Sequence, residues 1–297
     1  MKKLLFVILF TSTFFAQTAG TSGLSFLKSG FSARNIAMGD LGVASANDVS
    51  ALYYNPALMA DFVSPQLTFT NNQLIQDVTS QMLGASFPLF GLPFGLGINT
   101  TSVSDIEVRT RPGDPESTFN AHFFNASLST GFYIYEKLSA GFSIKYLYED
   151  IFSDDASGWG FDFGLSYKDV IDGLDLGASY RNVGSMKKLR EVETELPTDL
   201  RIGAAYNFPV SQIQSDVTIT GGMQKYTTTD DTHLNFGAEI FYDNVVAIRG
   251  GYMSGYDSKG LTAGLGLLWK GINFDYAFVP YDYGLGDSHI ISLMYTF

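Results

Sequence analysis

The chain has 297 residues, no cysteine and a formal net charge of −12. Disulfide staples, thiol chemistry and a lipid-attachment cysteine are therefore excluded. An acidic balance without any Lys/Arg-rich stripe likewise excludes nucleic acid, whose phosphates demand basic patches. The 45% of hydrophobic residues form no second long apolar block, which excludes a helical membrane protein and leaves 31 Gly, 17 Tyr and 25 Phe to another architecture.

At the amino terminus Lys2 and Lys3 precede an apolar run from Leu4 to Phe10 and a Thr/Ser/Phe stretch that ends at Ala16. This pattern reads as a secretory signal peptide, 1–16, with cleavage after Ala16 or Ala19. Residues 17–64 do not alternate and are rich in Gly, Ala, Ser and Asn. They predict short helices and turns that plug a wide barrel. Pro56 restricts Asn55 and removes a backbone donor, so Asn55-Pro56 predicts a break, and Asp48 is the expected cap of a helix containing Ala51 to Tyr54.

From residue 65 to 297 the pattern changes to period-two alternation, which is what a strand with one apolar and one polar face requires. Leu138, Ala140, Phe142, Ile144, Tyr146 and Tyr148 share one face, and Ser139, Gly141, Ser143 and Lys145 the other. Trp159 to Lys168 and Leu200 to Phe208 split in the same way. About fourteen such runs occur: 66–76, 80–89, 93–107, 119–134, 138–150, 158–168, 173–183, 199–208, 215–226, 232–242, 244–253, 259–269, 271–279 and 288–297. The first three alternate least cleanly.

Many runs reach the 9 to 11 residues that a tilted transmembrane strand needs, where a soluble sandwich usually uses five or six. The fold class expected is all-β: a transmembrane antiparallel barrel with the N-terminal plug, integral to the outer membrane of a Gram-negative bacterium. Lys145, Asp162, Lys168, Arg181, Arg201, Glu239, Arg249 and Asp275 all fall on the polar face and should line the lumen, because Lys or Arg on the lipid face costs roughly 2–4 kcal/mol at mid-membrane. Tight connections near Glu136-Lys137, Asp243-Asn244 and Lys270-Gly271 alternate with long ones at 109–117, 153–157, 184–198, 227–231, 254–258 and 281–287, as short periplasmic turns and longer outer loops require.

In the last run Ile291, Leu293, Tyr295 and Phe297 share a face. A terminal Phe with alternating apolar residues resembles the signal read by the barrel-assembly machinery, so Leu293, Tyr295 and Phe297 are assigned that role. The plug carries a second resemblance. Phe26-Leu27, Ser32-Ala33-Arg34, Ala37-Met38-Gly39-Asp40, Asn47-Asp48 and Tyr53-Tyr54-Asn55-Pro56-Ala57-Leu58 resemble the start of the PorV/PorQ family and, more distantly, of the FadL-type fatty-acid transporters. Ser104 to Glu107, Lys145 to Ile151 and Arg181 to Gly184 extend it.

That resemblance implies fourteen strands, a plug motif of Asn47, Asp48, Asn55, Pro56 and Ala57, and work with type IX secretion components or cargo proteins at the cell surface. The alternative it leaves open is FadL-like uptake of a hydrophobic molecule. Polar inward positions argue against that alternative, since a transporter of greasy molecules needs an apolar pocket near its outer mouth. Asn55, Pro56 and Ala57 either hold the plug in one shape or take part in gating.

Chemistry is sparse. His122, His233 and His289 are the only histidines, and no HExxH, GxSxG or phosphate-cradling glycine loop occurs. Catalytic residues, cofactors and a resident metal are accordingly not expected, and outer-membrane lipid and the barrel-assembly machinery are the expected partners. Glu149, Asp150, Asp154 and Asp155 have the oxygen donors a hard cation takes, but a solvated acidic loop is the stronger reading. The mixed-charge stretch with Lys187, Lys188, Arg190 and Glu191 is the best site for a partner protein.

Overall fold

The computed structural model describes residues 23–297; the leader assigned to 1–16 lies outside them. Sixteen strands follow a run of short helical turns: β1 Gln66–Gln73, β2 Val78–Leu89, β3 Leu92–Val108, β4 Ser117–Tyr135, β5 Leu138–Ile151, β6 Asp154–Tyr167, β7 Leu174–Met186, β8 Lys188–Leu189, β9 Val192–Glu193, β10 Asp199–Val210, β11 Ser215–Tyr226, β12 Thr232–Tyr242, β13 Val246–Met253, β14 Leu261–Trp269, β15 Ile272–Pro280 and β16 Asp287–Thr296. All but β8 and β9 form one closed antiparallel barrel of fourteen strands, with β7 beside β10. Closure is made by β1 and β16, in register from Gln66 opposite Thr296 to Gln73 opposite His289. Closing the sheet removes its edges, which is the one way a sheet survives in lipid.

The side chains divide as the alternation demands. Leu165, Ile202, Phe236, Ile248, Leu265 and Phe274 stand exposed on the outer wall, while Lys145, Asp162, Arg181, Arg201, Glu239, Arg249 and Asp275 are buried inside. Lys168 falls one residue beyond β6 and sits at the rim, where it bridges Asp61 and Asp175 at 3.1 and 3.2 Å.

The connection expected over 153–157 is a correction. It is the two-residue turn Phe152-Ser153, and Asp154 and Asp155 already pair with Ile151 and Asp150. There β5 and β6 rise past the apolar belt, so their outward positions turn polar and the segment reads as loop in the sequence. The acidic side chains also separate: Glu149 is buried inside and accepts from Thr194 Oγ1 at 2.7 Å, whereas Asp154 pairs with Arg190. They form no cation cage.

Both ends of the barrel sheet, Gln66 and Thr296, lie at the end where Phe90-Gly91, Glu136-Lys137 and Lys270-Gly271 make tight turns. The opposite end carries the longer connections, including the small β8–β9 hairpin.

Candidate functional site

The residues before β1 run through the lumen from the long-loop end to the tight-turn end. Gly23 N–H donates to Glu195 O at 3.0 Å beside the β8–β9 hairpin, and Pro65 O accepts from Phe297 N–H at 3.0 Å at the far end. Between them lie short 3-10 helices over Ser25–Lys28 and Pro56–Asp61 with α1 Ala33–Ala37 and α2 Ala51–Tyr54. Helices this short do not hold themselves, so the wall must hold them.

Glycines make that possible. A Cβ on Gly177 would lie 2.0 Å from Val43 O, on Gly141 2.2 Å from Ala57 N, and on Gly251 2.2 Å from Gly39 N. The segment's backbone rests directly on bare patches of strand, and the wall's hydroxyls serve it. Thr262 Oγ1 donates to Ala37 O at 2.8 Å, Ser139 Oγ to Ala57 O at 3.0 Å and Ser179 Oγ to Tyr54 O at 2.9 Å.

Asn55 ends α2 with an extended backbone, φ −163°, and accepts from Ala57 N–H at 3.1 Å to start the next turn, with Pro56 in its first positions. Its amide also donates to Val43 O at 2.8 Å and Leu165 O at 2.9 Å, joining three stretches of chain. The predicted break is therefore also an anchor. Asp48 acts otherwise than expected: its carboxylate accepts from Ser50 N–H at 2.8 Å and from the Ser50 hydroxyl, forming the turn before α2, while Ser50 occupies the cap position. Asn47 Oδ1 accepts from Arg34 Nη1 at 3.2 Å. Asn55 and Ala57 thus bond the wall, at Leu165 O and Ser139 Oγ, whereas Asn47 and Asp48 bond within the segment.

The strongest attachment comes from Arg34, which lay within the family-like phrase without an assigned partner. Its Nε and Nη2 donate to the two Glu239 oxygens at 3.0 and 2.8 Å, and Nη1 donates to Ser45 O at 2.8 Å. Glu239 also holds Arg249, which reaches Asp275. A second cluster joins Arg181 to Asp199 through both oxygens at 2.9 and 2.6 Å and to Tyr53 O at 2.7 Å, with the guanidinium over the Tyr53 ring. Bidentate pairing of this kind is what offsets the cost of burying charge. The buried Tyr54 hydroxyl donates to Asp40 Oδ1 at 2.6 Å.

The lumen is polar over much of its wall, and the segment lays an apolar core along it, from Leu24, Phe26 and Leu27 near the outer end through Phe31 and Leu52 to Leu58 and Met59 near the tight turns. At the tight-turn end a polar vestibule of about 670 Å³ reaches inward to Arg34 and Asn47, with Asp61, Tyr133 and Lys168 at its rim. Among the described residues no group of three His, Asp or Glu side chains is placed to hold a metal. The histidines are dispersed: His233 stacks on Tyr256 inside, His122 is exposed, and His289 faces outward against the Tyr276 hydroxyl at 2.8 Å.

Fourteen strands closed around an N-terminal segment decide the comparison with solved structures. The Pseudomonas putida toluene transporter TodX superposes with a TM-score of 0.63 at 15% identity, over 90% of this chain and 96% of its own. The fold is that of the TodX-type barrels. CymD, a monoaromatic hydrocarbon channel, gives 0.62 at 14% over 90% and 97%, and a FadL homologue from Pseudomonas aeruginosa 0.55 at 12% over 91% and 99%. No protein-family model and no curated protein matches the chain. With its apolar outer wall, the chain is an integral outer-membrane β-barrel.

The remaining predicted residues lie apart from the lumen. Lys187, Lys188, Arg190 and Glu191 are exposed on the β8–β9 hairpin and its flank, with Arg190 Nη2 also on Ser153 Oγ at 3.2 Å. Leu293, Tyr295 and Phe297 face outward at the tight-turn end, and the Tyr295 and Phe297 rings meet at 4.8 Å.

Proposed function

We propose that the chain is a plugged outer-membrane channel for a small hydrophobic compound, built as a leader over 1–16, a plug over 17–64 and a barrel over 65–297. One observation carries the reading: the apolar core that the plug lays through the lumen, open to the outer end at Leu24 and Phe26. The strands leave most of the lumen polar, and the plug brings Leu24, Phe26 and Leu27 to the end where an external solute arrives, with Phe31 and Leu52 continuing the apolar path inward. A greasy molecule transfers favourably into such a core, and the polar vestibule at the tight-turn end reaches inward to Arg34. The shared fold of TodX, CymD and the FadL homologue supports the same reading. Passage then requires the plug to shift, with Asn55, Pro56 and Ala57 as its hinge and anchor.

The test is saturable binding of an apolar fluorescent probe to the purified barrel. Wild type binds and Phe26→Glu loses binding; a barrel that binds no apolar probe refutes the channel.

The exposed charges on the β8–β9 hairpin favour a second reading, a PorV/PorQ-type role in type IX secretion with Lys187, Lys188, Arg190 and Glu191 as the partner surface. Crosslinking in native membranes decides it. Failure to recover any type IX component or cargo, with cargo secretion intact after deletion, removes this reading.

A further inference from the structure

The outer wall is not uniformly apolar. Eight residues up from the tight-turn end, β5 and β6 present Tyr146 and Trp159, paired across the strands with rings 5.4 Å apart. At about 3.3 Å per residue and a tilt of about 40°, that height is roughly 20 Å above the lower interface, where an upper aromatic girdle belongs. At the same count β2 and β3 present Gln81 and Thr100, which face each other across the strands. The girdle is broken there.

The break is also a hollow. An open depression of about 400 Å³ lies on the outside of β2 to β5, lined by Gln81, Thr100, Ser102 and His122 together with Phe124 and Tyr148. Two adjacent outward rows supply them: Gln81, Thr100, Phe124 and Tyr148 in one, Ser102 and His122 in the next. Gln81 already hydrogen-bonds Asn71 on β1 at 3.1 Å, so the polar surface continues sideways.

We infer that this hollow binds the sugar headgroup of an outer-leaflet glycolipid. Its position selects a lipid, because the hollow opens outward at the height where acyl chains give way to headgroups. Its chemistry selects the headgroup. Amide, hydroxyl and imidazole groups both donate and accept, which suits a ring of hydroxyls, and flanking aromatic faces suit the apolar side of a sugar. A phosphate would call for Lys or Arg, and neither lines the hollow.

The experiment uses the full-length barrel in vesicles of phosphatidylethanolamine with or without galactosyl diacylglycerol, reading the temperature at which the folded band is lost on electrophoresis. The glycolipid raises the wild-type midpoint by about 5 °C, as ligand binding to the folded state requires, and leaves Gln81→Leu/Thr100→Leu unmoved. Those substitutions put apolar groups toward lipid, so the variant folds; Leu265→Ala, on a distant strand, keeps the full glycolipid response. An equal shift in the double variant, an equal shift with phosphatidylglycerol, a shift with free galactose alone, or no shift in wild type overturns the assignment.

Discussion

Arg34→Ala tests whether the N-terminal segment is held by its ion pair. The side chain makes two bonds to Glu239 and one each to Ser45 and Asn47, all in a site where both partners are under a tenth exposed. Removing one member of a buried pair costs about 3–5 kcal/mol. Glu239 keeps Arg249, so its charge is not orphaned and the loss falls at the lower end, near 3 kcal/mol. The barrel wall loses no backbone hydrogen bond, so the cost falls on the docked state of the segment. At 1.4 kcal/mol per decade, the undocked fraction rises about a hundredfold. Planar-bilayer conductance reads this directly: the open fraction of the variant should exceed wild type by that factor, while Arg34→Lys, which keeps charge but not the fork, falls between. If Arg34→Ala conducts and melts as wild type does, the ion pair does not hold the segment.

Asn55→Ala strips three hydrogen bonds and leaves the Val43 and Leu165 carbonyls short of a donor, so the unfolding midpoint should fall by an amount worth about 2–4 kcal/mol. An unchanged melt would show the anchor is dispensable. Gly141→Val sets a side chain within 2.2 Å of the Ala57 and Pro56 backbone, and overpacking of this kind costs about 1–3 kcal/mol or more; protease access at the segment should rise while the barrel stays assembled. Leu265→Arg puts a charge on the outer wall and should cut the yield of heat-modifiable barrel by the equivalent of about 2–4 kcal/mol, a loss that a solvent-facing position would not show. Phe297→Ala, or deletion of Phe297, should reduce assembled barrel in cells; wild-type levels would remove its role as an assembly signal.

What was legible in the sequence follows from which solvent each residue meets. Lipid imposes a strict alternation, and Leu138 to Tyr148 declares its two faces without help from any other strand. The Asn55-Pro56 break is equally legible, since it follows from proline stereochemistry alone. Signal fails where lipid ends: β6 begins at Asp154 rather than near residue 158, because strand that rises into water no longer needs an apolar face. Asp48 was misplaced for a local reason, as a carboxylate just before a helix can serve the cap or the turn ahead of it.

The attachment of the segment was illegible for a different reason. Arg34 and Glu239 are 205 residues apart, and nothing near either names the other. Charge counting on the inner face does not help, although the wall pairs Arg181 with Asp199 and Lys145 with Asp162. Glu239 and Asp275 together face Arg249, but Arg201 shares Asp199 with Arg181 on the same wall, so these charges balance and name no partner for the segment. Inward glycines carry more, in steric form: Gly141, Gly177 and Gly251 look like mere spacers in an alternating strand, yet each marks a place where another backbone lies against the wall. Bare glycines on an inner face thus describe the surface of its occupant: each gap marks where the segment's backbone must pass, while the choice of Arg34 for Glu239 is fixed only once that path is known.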